Sequence, residues 1–332
     1  MKKIIAIVLA ALMMLSMVAC GAAEQGATKP AAGETGGNDT AKKYVVGVCQ
    51  LLPHEALDAA TKGFEDTLKA EFGDNVEVVI ELAGGDSALC STIVNGFVAD
   101  EVDLIMANAT PALQAAYAAT EDIPILGTSI TEYGVALDLE NFNGVVGANV
   151  SGTSDLAPLT EQAAMVLEWV PEAKNVGLLY CSAEANSVYQ VETVKAELEA
   201  KGLTCTMYPF ADTNELPAVT QKAAEESDVI YVPTDNQAAS AAETIDGICR
   251  PAGVPIIAGE EGLCKGCGIA TLSISYYNLG VATAKQAIQI LKGEADIAEM
   301  PIAYDEAPVK KYNKEICEEL GLKIPEGYEA IG

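Results

Sequence analysis

The amino-acid sequence predicts an α/β protein made of two doubly wound, parallel-sheet lobes joined by a hinge. Three observations carry this. Short apolar runs bounded by polar turns recur along the chain, stretches with helical spacing separate them, and the runs fall into two sets of five that echo each other. Strand and helix alternating in this way build parallel sheets covered by helices on both faces.

The first set of expected strands is 44–50, 76–82, 104–108, 123–128 and 145–149. The second is 176–181, 204–210, 229–233, 255–259 and 269–273. Apolar residues at helical spacing mark 56–72, 88–100, 160–169, 188–201 and 216–226, and a further amphipathic helix, 279–292, follows the tenth strand. Asp103-Leu104-Ile105-Met106 leads into Asn108-Ala109-Thr110, just as Asp228-Val229-Ile230-Tyr231 leads into Pro233-Thr234-Asp235. Each set therefore has a third strand followed by a polar loop. The expected division is 44–150 with 276–300 as the first lobe and 151–275 with 301–332 as the second, hinged near 149–153 and 275–277.

Ahead of the first strand, Lys2 and Lys3 precede the apolar run 4–18 and the small residues around Cys20. This pattern reads as a signal peptide over 1–20, because about fifteen apolar residues are too few for a hydrocarbon core of roughly 30 Å. Cys20 stands where lipoprotein processing cleaves and acylates, so it is the expected lipidation site. Residues 21–43 are Gly, Ala, Thr and charged residues with nothing to bury, which is the composition of a flexible tether. The expected location is extracytoplasmic, held to the cell membrane by lipid.

A net charge of −29 without a basic face argues against nucleic acid as a partner. Cys264-Lys265-Gly266-Cys267 has the spacing of a redox or metal motif, yet a zinc site needs a second pair or histidines, and His54 is the single histidine. A disulfide there is open to an exported protein. Cys49, Cys90, Cys181, Cys205 and Cys249 lie in apolar contexts and read as structural thiols. There is no GxGxxG after the first strand, no GxxxxGK[ST] and no GxSxG. No enzyme, cofactor or metal is expected.

In doubly wound sheets, ligands bind beyond the carboxyl ends of the strands, and two facing lobes share one cleft there. The first lobe brings Gln50, His54 and Asp58 after its first strand, Asn108, Ala109 and Thr110 after its third, and Ser129 after its fourth. The second brings Ser182, Asn186 and Ser187, then Thr234, Asp235 and Asn236, then Glu260. These hydroxyls, amides and carboxylates suit a small polar solute. Structural alternatives stand beside them: His54 as a solvated first-turn residue, Asp58 as a helix cap or solvent-facing residue, Asp235 as an N-cap, and Ser182 to Ser187 as caps. Tyr276 and Tyr277 suit hinge packing or stacking, and Trp169 reads as core.

Gly47-Val48-Cys49-Gln50 with His54 and Leu57-Asp58, then Val232-Pro233-Thr234-Asp235-Asn236, form an ordered series with two later segments. Those are Pro255-Ile256-Ile257-Ala258-Gly259-Glu260-Glu261-Gly262 and Ser275-Tyr276-Tyr277-Asn278-Leu279-Gly280. In order and spacing this series resembles the type I periplasmic-binding-protein superfamily. More closely, it resembles the ABC transporter substrate-binding lipoproteins for tryptophan and other aromatic amino acids. The resemblance spans 44–307, with Cys264 and Cys267 departing from the small or aliphatic residues expected there. It implies a Venus-flytrap fold and the solute-binding component of an ATP-driven importer. The implied cargo is an amino acid, aromatic by the resemblance, delivered to a membrane permease; because opposing loops reach one solute only if the hinge flexes, a monomer that closes on binding is expected. The loops agree with a zwitterion: Thr110, Ser129, Ser182 and Ser187 suit its carboxylate, and Asp235, with Glu260 second, its ammonium. A sensor module docking on a membrane receptor, and a sugar or nucleoside as cargo, are the alternatives.

Overall fold

The computed structural model of this chain describes residues 42–304 and 308–331; the expected signal peptide, Cys20 and the tether through residue 41 lie outside the described residues. The first lobe runs β1 (Tyr44–Gln50), α1 (Glu55–Phe72), β2 (Val76–Leu82), α2 (Ser87–Ala99), β3 (Leu104–Asn108), α3 (Thr110–Ala119), β4 (Ile125–Ile130), α4 (Tyr133–Ala136) and β5 (Val150–Ser154). The second opens with α5 (Leu159–Trp169), β6 (Asn175–Cys181), α6 (Ala185–Ala200), β7 (Thr204–Phe210), α7 (Leu216–Glu226) and β8 (Val229–Val232). It continues through α8 (Asn236–Ser240), α9 (Ala242–Ala252), β9 (Ile256–Ala258), α10 (Glu261–Cys267) and β10 (Ala270–Ser273). The chain then returns with α11 (Tyr276–Leu291) and β11 (Ala303–Tyr304), and ends in β12 (Val309–Tyr312), α12 (Lys314–Glu319) and β13 (Glu329–Ala330).

The strands form a six-stranded sheet, β11-β5-β4-β3-β1-β2, and a seven-stranded sheet, β13-β12-β10-β9-β8-β6-β7. Pairing is parallel except between β10 and β12, which the sequence reading of two parallel sheets did not foresee. Central strands are buried throughout, as a sheet covered on both faces requires.

One expected strand is displaced. Residues 145–149 form no strand, because Gly147 and Ala148 take positive φ of 76° and 53° and break extension. The strand is the polar segment Val150–Ser154, whose hydroxyls are satisfied inside the fold: Thr153 bonds Thr128 at 3.1 Å and Thr283 at 2.9 Å, and Ser154 donates to Thr131 O at 2.8 Å. β5 and β11 both belong to the first sheet. The chain therefore crosses between sheets after Ser154, between β10 and α11, and between β11 and β12, rather than at residues 150 and 300.

Helix α11 lies on α1 with the backbones in contact. A Cβ at Gly63 would press into Tyr277 O and one at Gly280 into Ala60 O, so only glycine permits this approach. Trp169 is buried against Tyr328, edge to face at 5.0 Å. The eight cysteines among the described residues are free; Cys264 Sγ lies 3.6 Å from Gly268 O and Cys267 Sγ 3.4 Å from Leu263 O, so this CxxC is a pair of helix-packing thiols. No described helix is long and apolar enough to cross a membrane.

Gly280→Ala forces α1 and α11 apart and is expected to cost about 1–3 kcal/mol of stability. Urea unfolding should show a lower midpoint; an unchanged midpoint would mean the helices separate without penalty.

Candidate cleft between the lobes

The floor of the first lobe is a network rather than a row of free side chains. Gln50 Nε2 donates to Asp58 Oδ1 at 2.6 Å and to Leu52 O at 3.0 Å, and Thr61 Oγ1 donates to Gln50 Oε1 at 2.6 Å. Asn108 Nδ2 donates to Leu57 O and to Thr61 Oγ1, both at 2.9 Å. Gln50, Asp58 and Asn108 thus tie the ends of β1 and β3 to α1. One atom of this network stays open, since Asn108 Oδ1 is buried without a partner.

Beside it the backbone is strained. Ala109 holds φ 91° and Ser129 holds φ 55°, conformations costly for residues with a Cβ and concentrated at functional sites. Ala109 starts α3 without any side-chain cap, so the partial positive charge of this helix end is not answered by a capping oxygen. Ser129 Oγ is buried and unpaired.

Asp155, which the sequence reading passed over, lies at the first crossing. Its side chain is 3 % exposed; Oδ2 accepts from Tyr276 Oη at 2.9 Å and Thr131 also bonds the carboxyl, while Oδ1 is buried without a partner. Burial raises its pKa to about 6.

The second lobe answers with carboxyls that are already engaged. Glu184 accepts from Asn236 Nδ2 at 2.6 Å, Asn236 N at 3.2 Å, Gln237 N at 3.0 Å and Asn186 Nδ2 at 3.2 Å. Asp235 caps α8 through Ala238 N at 2.8 Å, accepts from Cys181 N at 2.6 Å and bonds Ser187. Both of its oxygens accept from groups inside this lobe, as those of a helix cap do. Glu260 likewise caps α10 through Gly262 N at 2.6 Å and Leu263 N. Thr234 Oγ1 donates to Gly259 O at 3.3 Å. Ser182 is exposed, and its hydroxyl donates to Phe210 O at 3.2 Å.

The two lobes meet at the mouth. His54 Nε2 lies 3.2 Å from Asn236 Oδ1, Lys265 Nζ 3.0 Å from Glu55 Oε1, and Gln237 Nε2 3.3 Å from Gly85 O. Because Asn236 Nδ2 is committed to Glu184, its Oδ1 accepts and His54 donates. Burial lowers the His54 pKa, favouring the neutral ring that this bond uses. Cavities of 530 and 460 Å³ flank the α1–α10 junction, but neither is lined by Ser129, Asp155 or Asn186.

A family model described as ABC transporter substrate binding protein matches residues 45–330. The chain belongs to that family. This substrate-binding protein is 32 % identical over 307 residues to the tyrosine-binding protein of Clostridioides difficile, covering 91 % of this chain and 87 % of that one. A Streptococcus pneumoniae ABC domain in complex with L-Trp superposes with a TM-score of 0.82 at 34 % identity, covering 87 % of this chain and 100 % of that one. A ligand-free, open substrate-binding protein with adhesive properties from Clostridium difficile gives 0.66 at 32 % identity, over 87 % and 99 % of the two chains. The lobes of this substrate-binding protein are therefore arranged more as in the L-Trp complex than as in the open form, in keeping with their contacts at the mouth.

The buried carboxyls make the stability of the fold pH-sensitive. Burial raises Asp155 to about 6, Glu260 to about 7 and Glu184 to about 8. Folded-state values above the unfolded ones mean that the folded protein binds these protons more tightly. Their contribution is thus full in acid and is lost as pH rises through those values. The cargo-free domain should melt at a higher temperature near pH 5.5 than near pH 8.5. Asp155→Asn should flatten the acid part of the profile; a profile rising towards alkaline pH would contradict this.

Proposed function

We propose that the chain is the exported, solute-binding component of an ABC importer, anchored through a lipid on Cys20, that carries an aromatic amino acid to a membrane permease. The observation that carries this reading is the set of buried, unpaired atoms at the carboxyl ends of β3, β4 and β5, Asn108 Oδ1, Ser129 Oγ and Asp155 Oδ1, together with the uncapped start of α3. An α-amino acid presents a cation and an anion a few ångströms apart. Asp155 Oδ1 is the acceptor for the ammonium. The α3 N-terminus, with Thr110 and Ser129 beside it, receives the carboxylate. The likeness to a tyrosine-binding protein and to an L-Trp complex supports the aromatic class. Gln50 and Asp58 act one layer below these groups, and Asp235 and Glu260 hold the facing loops of the second lobe.

The chemistry required is capture, not bond breaking. Opposed loops reach one solute only if the lobes close, and the contacts His54–Asn236, Glu55–Lys265 and Gly85–Gln237 are those that closure makes. Tethering keeps the loaded domain near its permease.

Removing one member of a buried, hydrogen-bonded charge pair costs about 2–5 kcal/mol. Asp155→Asn should therefore weaken binding of L-tyrosine or L-tryptophan tens- to thousandsfold in calorimetry. Asp235→Asn should instead lower the melting temperature of the empty protein. If Asp155→Asn binds as wild type, another group holds the ammonium. Cys20→Ala should move the protein from the membrane to the soluble fraction with cargo affinity unchanged; retention at the membrane would remove Cys20 as the anchor.

A further inference from the structure

We infer that Asn186 is the residue that distinguishes cargo with a hydrogen-bond donor on its side chain, a phenol or an indole, from cargo with a bare phenyl ring. This rests on the reading of the cargo as an aromatic amino acid.

Asn186 lies in the first turn of α6, at the end of β6, and its side chain is 4 % exposed. Its amide orientation is fixed by its neighbours. The Nδ2 group donates to Thr234 O at 3.1 Å, a carbonyl that only accepts, and to Glu184 Oε2 at 3.2 Å, which also accepts from Asn236 Nδ2 and N. The Oδ1 atom is therefore the end of the amide left over, and it is buried without any hydrogen bond. Donation by Nδ2 to a carboxyl and a carbonyl polarises the amide and strengthens Oδ1 as an acceptor.

Four of the buried, unpaired atoms lie at the carboxyl ends of strands, and they divide by lobe. Asp155 Oδ1, Ser129 Oγ and Asn108 Oδ1 belong to the first lobe and serve the zwitterion, while Asn186 Oδ1 comes from the second. A cargo whose charged end is held by the first lobe turns its side chain towards the second. An acceptor there is satisfied by a tyrosine O–H or a tryptophan N–H, and phenylalanine would seal it away from water with nothing to bond. Leaving a buried acceptor unpaired weakens binding about ten- to hundredfold. Asn186 is thus the specificity-determining residue of the second lobe.

Calorimetry with L-tyrosine, L-tryptophan, L-phenylalanine and 4-fluoro-L-phenylalanine tests this, since fluorine matches the bulk of the hydroxyl and donates nothing. In the wild type, tyrosine and tryptophan should bind about ten- to hundredfold more tightly than phenylalanine and its fluoro analogue. In Asn186→Leu that gap should close because tyrosine and tryptophan weaken. The comparison within the variant is a ratio, unaffected by any loss of stability, and the wild-type series stands even if the variant does not fold. Equal wild-type affinities for tyrosine and 4-fluorophenylalanine, or a gap that persists in Asn186→Leu, would overturn the inference while leaving the aromatic reading intact. A wild type that binds none of the four overturns both.

Discussion

The constraint on which the cleft depends is the burial of Asp155 at the point where the chain leaves the first sheet. A carboxylate taken out of water needs partners, and Tyr276 and Thr131 occupy one side of it while Oδ1 remains open. Tyr276 is in place only because α11 begins there and lies directly on α1, an approach that Gly63 and Gly280 permit. The same α1 is tied to the ends of β1 and β3 by Gln50, Asp58, Thr61 and Asn108. Helix packing on one face of the first sheet thus sets the position of the groups at its carboxyl edge.

The second lobe solves a different problem with the same residue types. Glu184, Asp235 and Glu260 are buried, and each holds the start of a helix or the backbone of a neighbouring loop. Their hydrogen bonds set the loop geometry before any solute arrives, so a cargo does not have to order those groups itself. Burial without a basic partner raises the pKa of all three, which ties folding to proton uptake.

Much of the fold was legible in the sequence, because a parallel strand covered on both faces is a continuous apolar run. Strands β1, β2, β3 and β7 fall on their expected bounds, and α7 does as well. β5 escaped because Ser151, Thr153 and Ser154 bury hydroxyls bonded inside the fold, and no apolar run marks such a strand. The candidate site was legible in its loops, and the N-cap offered as one role for Asp235 is the bond that side chain makes to Ala238 N. Sequence places Asp235 and Glu260 at strand ends, but only the structure shows that their oxygens are taken by backbone N–H groups. Asp155 follows Thr153-Ser154 at a crossing rather than at a recognised strand end; an isolated acid after a polar strand was the signal available.

A crystal structure of the mature domain with L-tyrosine tests this account most directly. The ammonium should lie within about 3 Å of Asp155 Oδ1 and the carboxylate against the first turn of α3 beside Ser129. An ammonium seated on Asp235 or Glu260, or a carboxylate turned towards the second lobe, would contradict it.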